Sequence, residues 1–196
     1  MKLHETAAYE LPSCGVHVAR CIRCIDLGTQ SSNFAGETKA QRKLQVTFEL
    51  LGEEKQTNGE PFLVSRRFTA SMNEKSSLRG FVESWLGRKL IAADFNGGFD
   101  IGDLLNRHAQ LNLVETERDG KKYVNIQSIT PLPKGMAVPG GHNEVVFFDL
   151  DGPDWTVFES LSQGLKDAIS QSPEYQKLTS ASTAGKWKPV RELSSA

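Results

Sequence analysis

The sequence predicts a mainly β fold in which five strands form a small Greek-key barrel and one helix lies between the third and fourth strands. Residues 42–51 alternate between apolar and polar side chains, which is typical of a half-buried strand. Residues 73–87 have the apolar spacing of an amphipathic helix, and Asp119-Gly120 separates two further alternating runs. With 196 residues, 38% of them hydrophobic, the chain can form one ordinary core and an appendage.

The first strand is predicted over residues 15–27, after a loose arm of residues 1–13. Its apolar residues change from even to odd positions partway along, which predicts a bulge or bend near Arg20. In a regular strand, Cys21 would then point away from Cys24. A polar loop over residues 28–41 follows, with Phe34 isolated inside it. Loops of this length in a compact domain are usually functional or disordered.

The second strand is predicted over residues 42–51, with Leu44, Val46 and Phe48 facing the core. A turn containing Asn58-Gly59 leads to a third strand over residues 62–72. In that strand Arg67 lies on the face opposite the apolar residues.

The helix is predicted from Asn73 to Gly87, with Asn73 as its N-cap and Gly87 closing its C-terminus. Its apolar face has i, i+3, i+4, i+7, i+8 spacing and consists of Leu78, Phe81, Val82, Trp85 and Leu86. A helix of about 13 residues is marginal alone, so Phe81 and Trp85 are expected to pack on the strands.

After the helix, Asp100 is placed to start a short helical turn, and the fourth and fifth strands flank the Asp119-Gly120 turn until Pro131. The resulting order is three strands, a helix and two strands. This is the order of the OB-fold, a five-stranded Greek-key barrel that binds oligonucleotides or oligosaccharides on its strand 2–3 face and flanking loops. Residues 1–135 are therefore predicted to be an OB-fold nucleic-acid-binding domain.

The charge distribution is consistent with an anionic polymer as ligand. Residues 14–135 contain 17 Lys and Arg against 14 Asp and Glu, a net charge of +3, whereas residues 136–196 contain 5 against 8, a net charge of −3. Cations that follow a phosphate backbone and aromatic rings that stack on bases are the two components of single-strand binding. The candidate contacts are Arg20, Arg23, Phe34, Lys39, Arg42, Lys43, Arg66, Arg67, Arg118, Lys121, Lys122 and Tyr123. Solvation alone also explains surface Lys and Arg, and Tyr123 is equally suited to a barrel rim.

Four segments of the chain resemble a family of phage and prophage OB-fold single-stranded DNA-binding proteins. They are Gly-Val-His-Val-Ala-Arg-Cys-Ile from residue 15, Phe-Thr-Ala-Ser-Met-Asn-Glu-Lys-Ser-Ser-Leu-Arg from residue 68, Phe99-Asp100-Ile101 with Leu104-Leu105, and Ile-Thr-Pro-Leu-Pro-Lys-Gly from residue 129. The resemblance covers about residues 14–175. It implies that the protein coats single-stranded DNA without sequence specificity in phage-type replication or recombination, and that it is not an enzyme. The basic C-terminal run from Lys186 to Arg191 departs from the acidic tip common among such proteins.

Residues 136–196 are predicted to form a C-terminal acidic-apolar segment, a helix and a disordered tail. The helix begins after Asp154, continues through Ile169 and ends before Pro173, and the tail begins at Ser180. One interpretation packs residues 144–170 on the barrel or on a second subunit of a homo-oligomer. The other makes this segment compete with DNA or dock replication or recombination proteins.

Several other functions find no support in the sequence. Hydrolase, phosphate-loop and metalloprotease motifs are absent, so neither catalytic residues nor a cofactor is predicted. Cys14, His17, Cys21 and Cys24 lie in a β-rich run without the turns of a structural zinc site, so no metal is predicted. Three cysteines without a disulfide pattern, no long apolar stretch and no signal peptide predict a cytoplasmic protein, in the host cytoplasm if phage-encoded. The alternative function is a protein-docking or assembly module on the same barrel.

Overall fold

The computed structural model describes residues 10–34 and 37–183 of the chain. Its fold is mainly β, as predicted. Six strands form one sheet: β1 (Gly15–Phe34), β2 (Glu37–Leu50), β3 (Leu63–Thr69), β4 (His108–Arg118), β5 (Lys121–Thr130) and β6 (Val146–Phe148). The first five strands pair antiparallel in the order β3-β2-β1-β4-β5. β6 pairs parallel with β1 at residues 23–25, beyond the end of β4.

The sheet is not closed into a barrel by strand pairing. Within the described residues, no hydrogen-bond ladder joins its end strands, β3 and β5. Instead, the Arg66 side chain on β3 donates from Nη1 to the Ile126 carbonyl on β5, over 3.1 Å. The two ends of the sheet therefore approach each other without forming a continuous cylinder.

Helix α1 (Ser77–Leu86) packs its predicted apolar face onto the sheet. Trp85 is only 2% exposed, its ring centroid lies 5.1 Å from that of Phe48, and its Nε1 donates to the His108 carbonyl. The predicted N-cap is wrong: Ser76, not Asn73, accepts from the Arg79 backbone N–H. Gly87 ends the helix in the left-handed conformation, as predicted.

The predicted loop over residues 28–41 is wrong, because β1 and β2 continue as a long hairpin to Phe34 and Glu37. Alternating polar residues along both strands hide this pairing from a hydropathy pattern. The predicted bulge near Arg20 is confirmed, because the register of β1 shifts between Cys21 and Arg23. This bulge puts Cys21 and Cys24 on the same side, with their Sγ atoms 4.0 Å apart, contrary to the expected opposite orientation.

The C-terminal region contains three short helices where one was predicted: α2 (Trp155–Ser160), α3 (Gln163–Ser170) and α4 (Pro173–Thr183). Asp154 caps α2 as expected, but Pro173 begins a helix instead of limiting one, since proline fits the first helical position. Helix α4 continues past Ser180, so the predicted start of the tail is also wrong. Residues 184–196 lie outside the described part.

The C-terminal helices cover one stretch of β1. Ile25 and Leu27 of β1 form a second hydrophobic cluster with Phe148, Phe158 and other residues of this region. Gly28 has a φ of +67° at the second register shift of β1, and a Cβ there would meet the buried Ser172 side chain at 2.4 Å. Only glycine therefore allows α4 to approach β1 this closely.

Two short 3-10 turns, Ala92–Phe95 and Ile101–Leu104, connect α1 to β4. Asp100 accepts a hydrogen bond from the Gly102 N–H and so starts the second turn, as predicted. Among the described residues, no helix is long and apolar enough to cross a membrane.

Candidate nucleic-acid interface

An open groove of about 300 Å³ runs between the outer face of β1–β3 and the start of α3. Its floor consists of outward-facing residues of three adjacent strands, and its wall comes from the C-terminal region. The lining residues are Arg23, Gln45, Thr47, Leu63, Ser65 and Arg67 on the sheet and Ser162, Gly164 and Leu165 on or beside α3.

Strand pairing explains how these side chains come together. Thr47 of β2 pairs with Arg23 of β1 on one side and with Ser65 of β3 on the other, so the three form one row across the sheet. In the neighbouring row, Gln45 pairs with Arg67. Cross-strand hydrogen bonds order this floor: Thr47 Oγ1 lies 3.0 Å from Ser65 Oγ, and Arg67 Nε donates to Gln45 Oε1 over 2.9 Å.

Arg23 is the least satisfied cation in the groove. Its Nε is buried yet has no hydrogen-bond partner among the described residues. A buried donor left unpaired costs about 1–3 kcal/mol, so an acceptor that reaches this guanidinium stabilises it. Because guanidinium groups match the geometry of phosphate and carboxylate oxygens alike, either anion is a well-matched acceptor.

The groove is also free of negative charge. None of the nine described residues that line it carries a carboxylate, whereas two carry a guanidinium. Lys43 extends the positive charge along the same face of β2, where its Nζ donates to Thr69 Oγ1 over 2.7 Å. The floor therefore presents cations and neutral hydrogen-bonding groups in a continuous band.

Arg20, another predicted contact, serves the fold. It forms an ion pair with the fully buried Glu49 carboxylate and donates to Asn106 Oδ1. Burial alone would raise the pKa of Glu49, but hydrogen bonds from Asn143 and from Arg20 hold it below the usual value. The same carboxylate accepts from the backbone N–H groups of His142 and Asn143. Arg20 and Glu49 thus attach residues 142–143 to the sheet.

Arg42 is similarly occupied. It lies in an ion-pair network with the carboxylates of Asp26, Asp149 and Asp151. Hydrogen bonds to Asp26 raise the pKa of Arg42 above its usual range. A phosphate would have to displace three carboxylates to reach this guanidinium, so Arg42 is a poor DNA contact in this conformation.

Arg66 lies on the core side of β3, in line with Val64 and Phe68, and not on the outer face with Arg67. Its Cζ lies 5.2 Å from the ring centroid of Phe68 and 5.5 Å from that of Phe81. Arg66 stabilises the junction between β3 and β5 through these rings and the Ile126 carbonyl.

The β4–β5 hairpin carries the other predicted cations, Arg118, Lys121 and Lys122. Asp119 and Gly120 both have positive φ and form its tight turn, as predicted. Two of these cations have a carboxylate nearby: Lys122 Nζ lies 3.0 Å from Glu115 Oε1, and Arg118 Nε lies 3.6 Å from Asp119 Oδ2.

Tyr123 lies on the outer side of this hairpin. It is 45% exposed, whereas Ile126 is buried in the main cluster and Val124 packs against it. The prediction that Tyr123 lies on the opposite face of the strand from Val124 and Ile126 is therefore confirmed. Its ring is accessible for stacking.

Two predicted contacts lie on the long β1–β2 hairpin. Lys39 is exposed and pairs in register with Ser32. Phe34 ends β1, but its side chain lies outside the described part of the structure.

No group of three or more His, Cys, Asp or Glu side chains is arranged for a metal ion among the described residues. Cys14 is exposed, away from the buried Cys21 and Cys24 pair. A hydrogen bond with Cys24, together with burial, raises the pKa of Cys21 far above its usual value. The Cys21 thiol therefore stays protonated and is a poor metal ligand or nucleophile.

Sequence patterns predict only some of the residues that line this groove. The alternation of β2 places Gln45 and Thr47 on the outer face, so those two lining residues follow from the sequence. Ser162 and Gly164 do not, because no local pattern indicates where α3 will pack.

A scan against models of known protein families finds no match for this chain, and neither does a search of curated proteins.

Proposed function

We propose that this chain is a single-stranded nucleic-acid-binding protein that coats single-stranded DNA in phage-type replication or recombination. Binding takes place along the groove on the outer face of β1–β3. The observation that carries the proposal is the pair Arg23 and Arg67 in a groove without carboxylates, with Arg23 Nε buried and unpaired among the described residues.

The strand order supports an OB-type assignment. In an OB-fold, the first strand pairs with the second and fourth, and a helix connects the third strand to the fourth. The order β3-β2-β1-β4-β5 and the position of α1 agree with this arrangement. The ligand face of OB-folds includes the outer side of strands 2 and 3, which is where the groove lies.

The composition of the groove defines the binding mode. Guanidinium groups and hydroxyls contact phosphates irrespective of base sequence. None of the nine described lining residues is aromatic, so stacking must come from another surface, for which Tyr123 is the accessible candidate. The expected complex is therefore held mainly by backbone contacts and depends strongly on salt.

An electrophoretic shift with labelled oligo-dT, compared with a duplex of equal length, tests the proposal. We expect retention of oligo-dT in preference to duplex at low salt. Each phosphate contact should contribute a slope of about −0.7 to log K against log of salt concentration. Absence of oligo-dT binding at low salt, or binding that does not change with salt, contradicts it.

A protein-docking or assembly module on the same sheet is the alternative, since the described lining of the groove lacks the aromatic side chains on which bases stack. The variant Arg23→Gln separates the two functions. It should reduce oligo-dT retention if the groove binds phosphates, while leaving the melting temperature close to that of the parent.

A further inference from the structure

A second cavity, of about 250 Å³, lies midway along the β1–β2 pair, beside residues 24–26 of β1 and residues 42 and 44 of β2. One side of it is apolar and is formed mainly by Leu44, Ala70, Ile101 and Phe147. Phe147 is 40% exposed although it belongs to a strand of the sheet. An exposed aromatic beside a cavity of this size indicates space for a large side chain.

The other side of the cavity is acidic. Asp26, Asp149 and Asp151 face a single cation, Arg42, which leaves a net negative charge on this rim. Asp151 is the most accessible of the three, with its side chain 71% exposed. A ligand that fits both sides must combine an apolar group with positive charge.

We propose that this cavity binds the chain's own basic C-terminal segment, Lys186-Trp187-Lys188-Pro189-Val190-Arg191. The Trp187 ring occupies the apolar side against Phe147, and the flanking lysines lie near Asp149 and Asp151. This segment combines a large aromatic ring with three cations in six residues. It therefore matches the cavity in both apolarity and charge.

The position of α4 makes this contact feasible. Leu178 on α4 packs against the cluster that contains Ile25 and Phe148, and both of these residues also line the cavity. The helix ends five residues later at Thr183, about 8 Å farther along its axis. The next four residues span up to about 14 Å when extended, which exceeds that 8 Å and lets the chain return Trp187 to the level of Leu178.

Fluorine NMR of the full chain labelled with 5-fluorotryptophan tests the proposal. The protein has three tryptophans, and the variant Trp187→Phe identifies the resonance of Trp187. We expect this resonance to differ in position from that of a free peptide of residues 184–196. Phe147→Ala and Asp151→Asn should each move it toward the free-peptide position, because Phe147→Ala removes the ring that Trp187 contacts and Asp151→Asn removes the most exposed carboxylate.

Asp119→Asn is the matched control, since Asp119 is an exposed carboxylate on the distant β4–β5 hairpin. It should leave the Trp187 resonance unchanged, and unchanged Trp85 and Trp155 resonances verify that each variant is folded. The proposal is overturned if Trp187 matches the free peptide in the parent chain, or if neither cavity variant moves it. Loss of the shift on dilution also overturns it, because the tail would then bind a second copy.

Discussion

The β1–β3 groove and the tip of the β4–β5 hairpin carry the same kinds of cation in different surroundings. In the groove, Arg23 and Arg67 have neutral neighbours, and Arg23 Nε is unpaired among the described residues. On the hairpin, Lys122 pairs with Glu115, and Arg118 lies near Asp119. The tip thus carries three cations and three carboxylates, and Lys122 also pairs in register with Glu117.

This difference shows that the neighbours of a cation matter more than the number of cations. A charge already compensated by a carboxylate releases fewer counterions when a phosphate arrives, because the phosphate must compete with that carboxylate. The groove is therefore expected to supply most of the salt-dependent affinity. The hairpin is expected to contribute mainly through the Tyr123 ring.

The largest effect should come from a residue that supports both regions. Trp85→Ala is expected to lower the free energy of unfolding by about 3–5 kcal/mol, because removal of a buried ring leaves a cavity beside Phe48. Thermal or urea unfolding measures the loss. A variant as stable as the parent would show that α1 does not support the sheet.

Removing both groove arginines should give the largest effect on binding among folded variants. Arg23→Gln with Arg67→Gln is expected to weaken oligo-dT binding by roughly 150-fold or more, since each charge-assisted hydrogen bond contributes about 1.5–3 kcal/mol. The magnitude of the salt slope should fall by about 1.4, or 0.7 per phosphate contact. Fluorescence anisotropy over a salt series measures both quantities.

Lys75→Gln with Lys134→Gln is a matched control for this double variant. Both lysines are exposed and lie outside the groove, so affinity and slope should stay close to the parent values. An equal loss in this control would mean that overall charge, and not the groove, determines binding.

Tyr123→Ala separates stacking from charge on the hairpin. Stacking of one base on an aromatic ring contributes about 1–3 kcal/mol, so binding should weaken roughly 5- to 100-fold with the salt slope nearly unchanged. Anisotropy and a melting curve are both needed. A lower melting temperature with intact binding would make Tyr123 a structural residue of the hairpin.

Most of the mainly β fold follows from local patterns in the sequence. The alternation in β2, the apolar face of α1 and the Asp119-Gly120 turn each identify an element without reference to the rest of the chain. The long β1–β2 hairpin does not follow, because its polar strands are held by backbone pairing that hydropathy does not record. The N-cap at Ser76 was missed since Asn73 is an equally good capping residue by type.

The candidate site was harder to predict, because its properties depend on tertiary neighbours. Arg20 and Arg42 are indistinguishable in the sequence from Arg23, and only the alternation of β3 separates Arg66 from Arg67. In the structure they differ in their contacts with residues remote in the chain: Arg42 pairs with Asp151, and Arg66 donates to the Ile126 carbonyl. No property of an arginine or its local sequence indicates which carboxylate or ring the fold will place beside it.

The smallest expected effect concerns the hairpin lysines. It tests whether neighbouring carboxylates determine which cations bind DNA, in the groove and on the hairpin. Lys121→Ala with Lys122→Ala should weaken oligo-dT binding less than the groove variant does, because Glu115 already compensates part of this charge. Glu115→Gln should slightly strengthen binding and steepen the salt slope, since it releases Lys122 to contact phosphate. Anisotropy over a salt series again provides the measurement. If the hairpin lysines prove as important as Arg23 and Arg67, local compensation does not determine which cations bind, and the groove loses its special role.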